Sequence, residues 1–244
     1  MEKFKRRSSL TSGKYLIFPG ILFSFLFSCT TGIHIESEQI KLEDHLVSDR
    51  SILSFIAPYT AEMDQQMNVK IAESQNNFIV ARPGSNLTNW IADAVFVNQT
   101  KTVRLIEPTF CLLNTGGIRS SIGKGDVRLK DLFKVMPFDN TIVWVKLPMH
   151  ILDSIATYLV NSGGEPISNI TMRDGKLLLK VPDQRQVNGF WVITSDYLFN
   201  GGDHMDFFRE SIEVIETQRL IRDVLIEEAK YQKILVNDTL IRIE

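Results

Sequence analysis

From Ser51 onward the apolar residues return at helical spacing. In "SILSFIAPYTAEMDQQMNVKIAES", Ile52, Phe55, Ile56, Tyr59, Met63 and Met67 fall near a period of about 3.6 residues, and Pro58 predicts a kink or restart. A second helix is predicted in "SNLTNWIADAVFVNQT", where Ser85 suits the N-cap and Leu87, Trp90, Ile91, Ala94 and Val95 form the apolar stripe. "KTVRLIEPTFCLLNTGG" reads as two short apolar runs broken at Glu107-Pro108. "RLKDLFKVMP" is a short helix stopped by Pro137, and the β-branched run "NTIVWVKLPM" is a strand. "HILDSIATYLVNSGG" then predicts an amphipathic helix closed by Gly163 and Gly164.

Further on, "KLLLKVP" and "GFWVITSDYL" read as strands, and "NGGDHMDFF" as a glycine loop. "SIEVIETQRLIRDVLIEEAKYQ" predicts a helix, and "LIRIE" a last short strand. There is no internal repeat and no low-complexity stretch. Helices and strands alternate irregularly, which predicts an α+β domain built on a mixed β-sheet flanked by helices.

The first thirty residues follow another pattern. Lys3, Lys5, Arg6, Arg7 and Lys14 precede the uncharged run "YLIFPGILFSFLFSC". That is the build of an export signal, and Leu26-Phe27-Ser28-Cys29 resembles the lipobox of bacterial lipoproteins. The expected organisation is a signal peptide over 1–29, a polar tether over 30–50 and one domain over 51–244. Cys29 would then be lipidated, which places the protein at the bacterial cell envelope, held to the membrane by its lipid. Cys111, in the apolar run "TFCLLN", is expected to be a buried thiol.

Charge narrows the partners. Across 244 residues, 27 basic and 29 acidic side chains give a net charge of -2, which provides no footprint for nucleic acid. A small anionic ligand needs only one or two arginines.

Two loops carry the candidate chemistry. In the first, Asn114 can bond its own backbone around a turn, and Gly116 and Gly117 allow positive φ and close approach of a ligand. Arg119 follows with a planar cation suited to a phosphate or carboxylate. Phe138, beside Asp139 and Asn140, is either a core residue or an exposed ring for stacking on a base. The second loop joins Tyr197 to Asn200, Gly201, Gly202 and Asp203, an aromatic and a carboxylate across a glycine turn. Two rings from separate loops could sandwich a flat ligand.

Together "NTGGIRSSIGKGDVRLKDLFKVMPFDNTIV", "VITSDYLFNGGD" and the upstream "RPGSNLTNWIADA" resemble the motifs of the C-terminal, substrate-binding domain of the 5′-nucleotidase/UDP-sugar hydrolase family, over about residues 50 to 240 and in the same order. The resemblance implies a nucleotide-binding domain. Phe138 and Tyr197 would stack the base, Asn140 would contact its edge and Asp203 the ribose. Asn114, Gly117 and Arg119 would line the phosphate side, with Arg82 matching the arginine of the opening motif. Two positions depart from the pattern: Gly84 stands where Glu is usual, and His204 follows the Gly-Gly-Asp where glycine is frequent.

Family members hydrolyse phosphates with a separate domain holding two divalent metals. Its Asp-x-His and Gly-Asn-His strings do not occur here, the one Gly-Asp-x-x-Asp match, Gly202 to Asp206, belongs to the second glycine loop, and His34, His45, His150 and His204 are scattered singly. No cofactor is therefore expected in this chain. The expected function is nucleotide recognition for a 5′-nucleotidase-type phosphatase in nucleotide catabolism, the metals residing on a separate metallophosphatase chain. The alternative is a stand-alone nucleotide- or nucleoside-binding envelope lipoprotein without hydrolytic activity.

Overall fold

The computed structural model describes residues 49–180 and 188–244. The signal peptide, Cys29, nearly all of the tether and the end of "KLLLKVP" lie outside the described residues. Residues 50–244 form one compact unit.

Its elements are α1 (Arg50–Met67), β1 (Lys70–Ser74), α2 (Asn86–Thr100), β2 (Thr109–Leu112), β3 (Gly125–Arg128), α3 (Leu129–Val135), β4 (Thr141–Pro148), α4 (Leu152–Ser162), β5 (Ile167–Ser168), β6 (Ile170–Arg173), β7 (Lys176–Leu179), β8 (Gly189–Ser195), α5 (Asp196–Phe199), β9 (Glu213–Leu220) and α6 (Ile221–Gln232). The main sheet runs β5-β2-β8-β4-β9, flanked by two hairpin-sized pairs, β1-β3 and β6-β7. β2 and β8 are parallel and the other pairings antiparallel, so the sheet is mixed.

Alternation along the strands sends side chains to two apolar clusters, one on each face. Cys111, Ile142 and Ile193 join α2 and α6 in the first, with Trp90, Ile91, Val224 and Leu225. Phe110, Leu112, Val143, Val145, Leu147, Phe190 and Val192 join α4 in the second, with Ile155 and Leu159. Each such side chain, fully buried, contributes about 1.5–3 kcal/mol. α2 starts as its sequence predicts: Ser85 caps it, and Ser85 and Thr88 close a reciprocal capping box. Gly163, at φ 75°, ends α4 in the left-handed region.

Four segments differ from the periodicity reading. α1 stops at Met67 and the chain turns into β1, because Lys70–Ser74 pairs with β3, a strand that the pattern did not show. α1 also continues through Pro58, and none of its residues is buried. Of the two apolar runs around Glu107-Pro108, only the second is a strand.

The largest change is at the C-terminal helix. Residues 213–220 form β9 and the helix begins at Ile221, since Val214 and Ile215 pair with Val145 and Trp144 of β4. Sheet pairing outweighs the local helical spacing there. The final "LIRIE" makes only one bridge, Ile243 to Met172.

Candidate functional site

The two glycine loops and the turn after α3 meet at the ends of β2, β4 and β8. They enclose a cleft of about 330 Å³ lined by Asn114, Gly116, Gly117, Arg119, Phe138, Asn140, Tyr197 and Asp203. The seven residues that the family resemblance assigned to binding in these loops thus stand around one space, together with Gly116 of the first turn. Phe138 and Tyr197 are 43% and 46% exposed, so both rings open to the cleft rather than filling the core.

Asp203 is the knot of the site. Asn114 Nδ2 donates to one of its carboxylate oxygens at 2.6 Å and the Tyr197 hydroxyl to the other at 2.9 Å. The Tyr158 hydroxyl donates to its main-chain carbonyl at 3.0 Å. The hydrogen bond to Asp203 raises the pKa of Tyr197. Burial, reinforced by Glu165 and Asp203, pushes that of Tyr158 up to about 12.

The glycines act differently from expectation. Neither Gly116 nor Gly117 has positive φ. Gly117 is needed for closeness: a Cβ there would sit 3.0 Å from Asn114 Oδ1. Asn114 does not cap its own turn; its amide reaches across to Asp203, so a tertiary contact replaces the local one. In the second loop Gly201 is left-handed at φ 91°, and Gly202 packs under the Tyr197 ring, with no room for a Cβ. Asp203 and His204 are also left-handed, at φ 51° and 60°.

Arg119 is exposed, donates weakly to the Gly116 carbonyl at 3.3 Å, and lies 5.9 Å from the centre of the Phe138 ring. It is the one cation among the lining residues. Arg82 is placed elsewhere. It pairs at 2.7 Å with buried Glu165, whose other carboxylate oxygen accepts the Thr115 amide at 2.6 Å. The opening-motif arginine therefore sits behind the first loop, outside the cleft.

Sequence reading missed the supports of the site. Asp196 Oδ1 accepts the amides of both Thr141 and Tyr197, at 3.1 and 2.8 Å, and so ties the Phe138–Asn140 turn to the second loop. Asp196 adjoins a ring residue already singled out; Glu165 and Tyr158 carry no comparable local signal. Cys111 is buried, and its thiol pKa is raised by desolvation. Among the described residues no three His, Cys, Asp or Glu side chains gather as a metal site.

Fold and site define a class: an α+β domain on a mixed sheet whose strand ends carry a two-loop aromatic cleft. Residues 68–152 match the family model described as 5′-nucleotidase, C-terminal domain. It is 31% identical over 151 residues to a 5′-nucleotidase of Vibrio parahaemolyticus, covering 57% of this chain and 25% of the relative. It is 27% identical over 157 residues to Protein UshA of Escherichia coli, covering 58% and 27%. The chain thus spans about a quarter of the length of these curated relatives. The 5′-nucleotidase precursor of Thermus thermophilus aligns over 80% of this chain and 42% of its own, with TM-score 0.60 and 23% identity, a likeness of fold.

Proposed function

We propose that the cleft binds a nucleoside monophosphate and that this chain is the nucleotide-recognition part of a 5′-nucleotidase-type phosphatase. The observation that supports this reading most is the convergence of Phe138, Tyr197, Asn140, Asp203 and Arg119 on one cleft. A base would stack between the two rings, and Asn140 would meet its edge. A carboxylate has about four lone-pair sites. Asp203 spends two on Asn114 and Tyr197, which leaves about two for ribose hydroxyls. Arg119, beside Phe138, would take the phosphate.

Size and charge favour a small ligand. The cleft volume of about 330 Å³ lies at the small end of ligand pockets, and Arg119 supplies one cation. A single phosphate suits this better than a dinucleotide.

The hydrolytic step has no residues in this proposal; a separate metallophosphatase chain would supply the divalent metals. The lipid anchor on Cys29, the domain limits 51–244 and a place at the cell envelope belong to the same proposal and rest on the sequence pattern.

Calorimetric titration with AMP, GMP, CMP and UMP tests the cleft. Binding is expected for the intact chain, with a loss of about 1–3 kcal/mol in Phe138→Ala. Equal affinities would return Phe138 to a packing role. Mixing the chain with a metallophosphatase and measuring phosphate release tests the partnership. Binding without any rise in hydrolysis would favour the stand-alone nucleotide-binding protein.

A further inference from the structure

The turn that carries Phe138 and Asn140 is held from behind by the start of α6. Arg222, the second residue of that helix, has a side chain only 9% exposed. Its Nη1 donates to the main-chain carbonyls of Met136 and Phe138, both at 3.3 Å, and Nη2 to Asp139 Oδ1 at 2.5 Å. The guanidinium lies over the Phe133 ring, 4.3 Å from its centre. One residue earlier, the Ile221 amide donates to the Asn140 carbonyl at 3.0 Å. Two consecutive residues of α6 therefore hold four of the five residues from Met136 to Asn140.

This is an unfavourable place for a cation. The first turn of a helix is the positive end of its dipole. Burying a guanidinium costs free energy unless its donors are met, and Arg222 Nε has no partner. An apolar side chain of the same size would avoid these costs. What it could not supply is a rigid planar fork of donors spanning two carbonyls. Met136 closes α3 as its C-cap, where main-chain carbonyls lack helical partners. A local rule broken without local gain points to a demand elsewhere in the fold, and here the turn leads directly to the cleft.

We propose that Arg222 is a positioning residue for the nucleotide cleft: it fixes the Met136–Asn140 turn so that the Phe138 ring and the Asn140 amide face the ligand before it arrives. The inference rests on the nucleotide reading of the cleft. A turn already in its bound shape avoids an ordering cost on binding. Asp139, whose side chain is 76% exposed, completes the fork from the solvent side.

The test uses the full chain with Arg222→Met, Arg222→Lys, Phe138→Ala and the Phe138→Ala/Arg222→Met double variant, titrated with the four nucleoside monophosphates. Arg222→Met is expected to weaken the best-bound nucleotide about five- to twenty-fold, within the range set by loss of one stack. Arg222→Lys should lose less. In the Phe138→Ala background Arg222→Met should cost less than it does alone, because the ring it positions is already gone and only Asn140 is left to misplace. A folded Arg222→Met chain with unchanged affinity, or losses that simply add, overturns the proposal.

Amide hydrogen exchange on the ligand-free chain gives a second reading that needs no nucleotide. Arg222→Met should speed exchange across 136–141 while α2 and β8 stay protected; unchanged exchange there overturns the brace. If the Met variant does not fold, Arg222→Lys carries both tests. An intact chain that binds none of the four nucleotides, yet shows the expected exchange, overturns the nucleotide reading and leaves the brace standing.

Discussion

Gly202→Ala isolates the contribution of Tyr197. The new methyl group would lie 2.4 Å from Tyr197 Cε1 and 2.6 Å from Cδ1 and Cζ, against ordinary contacts of 3.4–4 Å. Gly202 does not need left-handed backbone, so alanine is sterically acceptable to the main chain. The clash is with the ring, which must retreat by about 1 Å, the difference between 3.4 and 2.4 Å. The Tyr197–Asp203 bond, now 2.9 Å, would then stretch to about 3.9 Å, beyond hydrogen-bond reach. Tyr197 is 46% exposed and can swing outward, so the stability cost should be small, about 0.5–1.5 kcal/mol for one hydrogen bond. That corresponds to a fall in Tm of about 1–6 °C for a domain of this size.

Affinity should suffer more. A displaced stacking ring costs about 1–3 kcal/mol, or about five- to 150-fold in Kd. Thermal melting and calorimetric titration on one preparation read both quantities. Tyr197→Phe is the control: it keeps the ring and loses only the hydroxyl, so it should bind more tightly than Gly202→Ala. Intact nucleotide affinity in Gly202→Ala would refute the role assigned to the Tyr197 ring.

His204 holds φ at 60° on an exposed loop, where a side chain costs about 1–2 kcal/mol. His204→Gly, after the unfolded-state entropy of glycine is offset, should raise stability by about 0.5–1 kcal/mol, and a lower Tm in a melting experiment would contradict this. Tyr158, raised from 10.0 to about 12 by burial, binds more proton in the folded chain than in the unfolded chain within that window. Stability should therefore fall as pH rises from 10 towards 12. Tyr158→Phe should flatten that part of the slope in urea titrations, and an unchanged slope would show that the phenol is not responsible.

Much of the fold was legible where local chemistry and tertiary demand agree. Ser85 announces α2, Gly163 closes α4, and the β-branched run 141–148 is a central strand. Reading failed where pairing partners decide. "SIEVIETQRL" has helical spacing but lies opposite β4, and "KIAES" becomes a strand because β3 is there to receive it. The side chains facing the cleft were visible because their motifs resemble those of a known family; the local pattern alone left Phe138 open between core and cleft. Their supports were not: Arg82 reaches Glu165, and Arg222 reaches Met136, across more than eighty residues.

Taken alone, the sequence determined where rings, a carboxylate and a cation stand beside glycine turns, since residue type and neighbouring glycines act within a few positions. The tertiary structure decided that Arg82 braces a loop instead of facing the cleft and that Asn114 bonds Asp203 instead of its own turn. It also decided that Gly202 is demanded by a ring packed upon it. Each of these depends on atoms brought together through space by the sheet, where a contact between distant residues can outcompete the nearest local one.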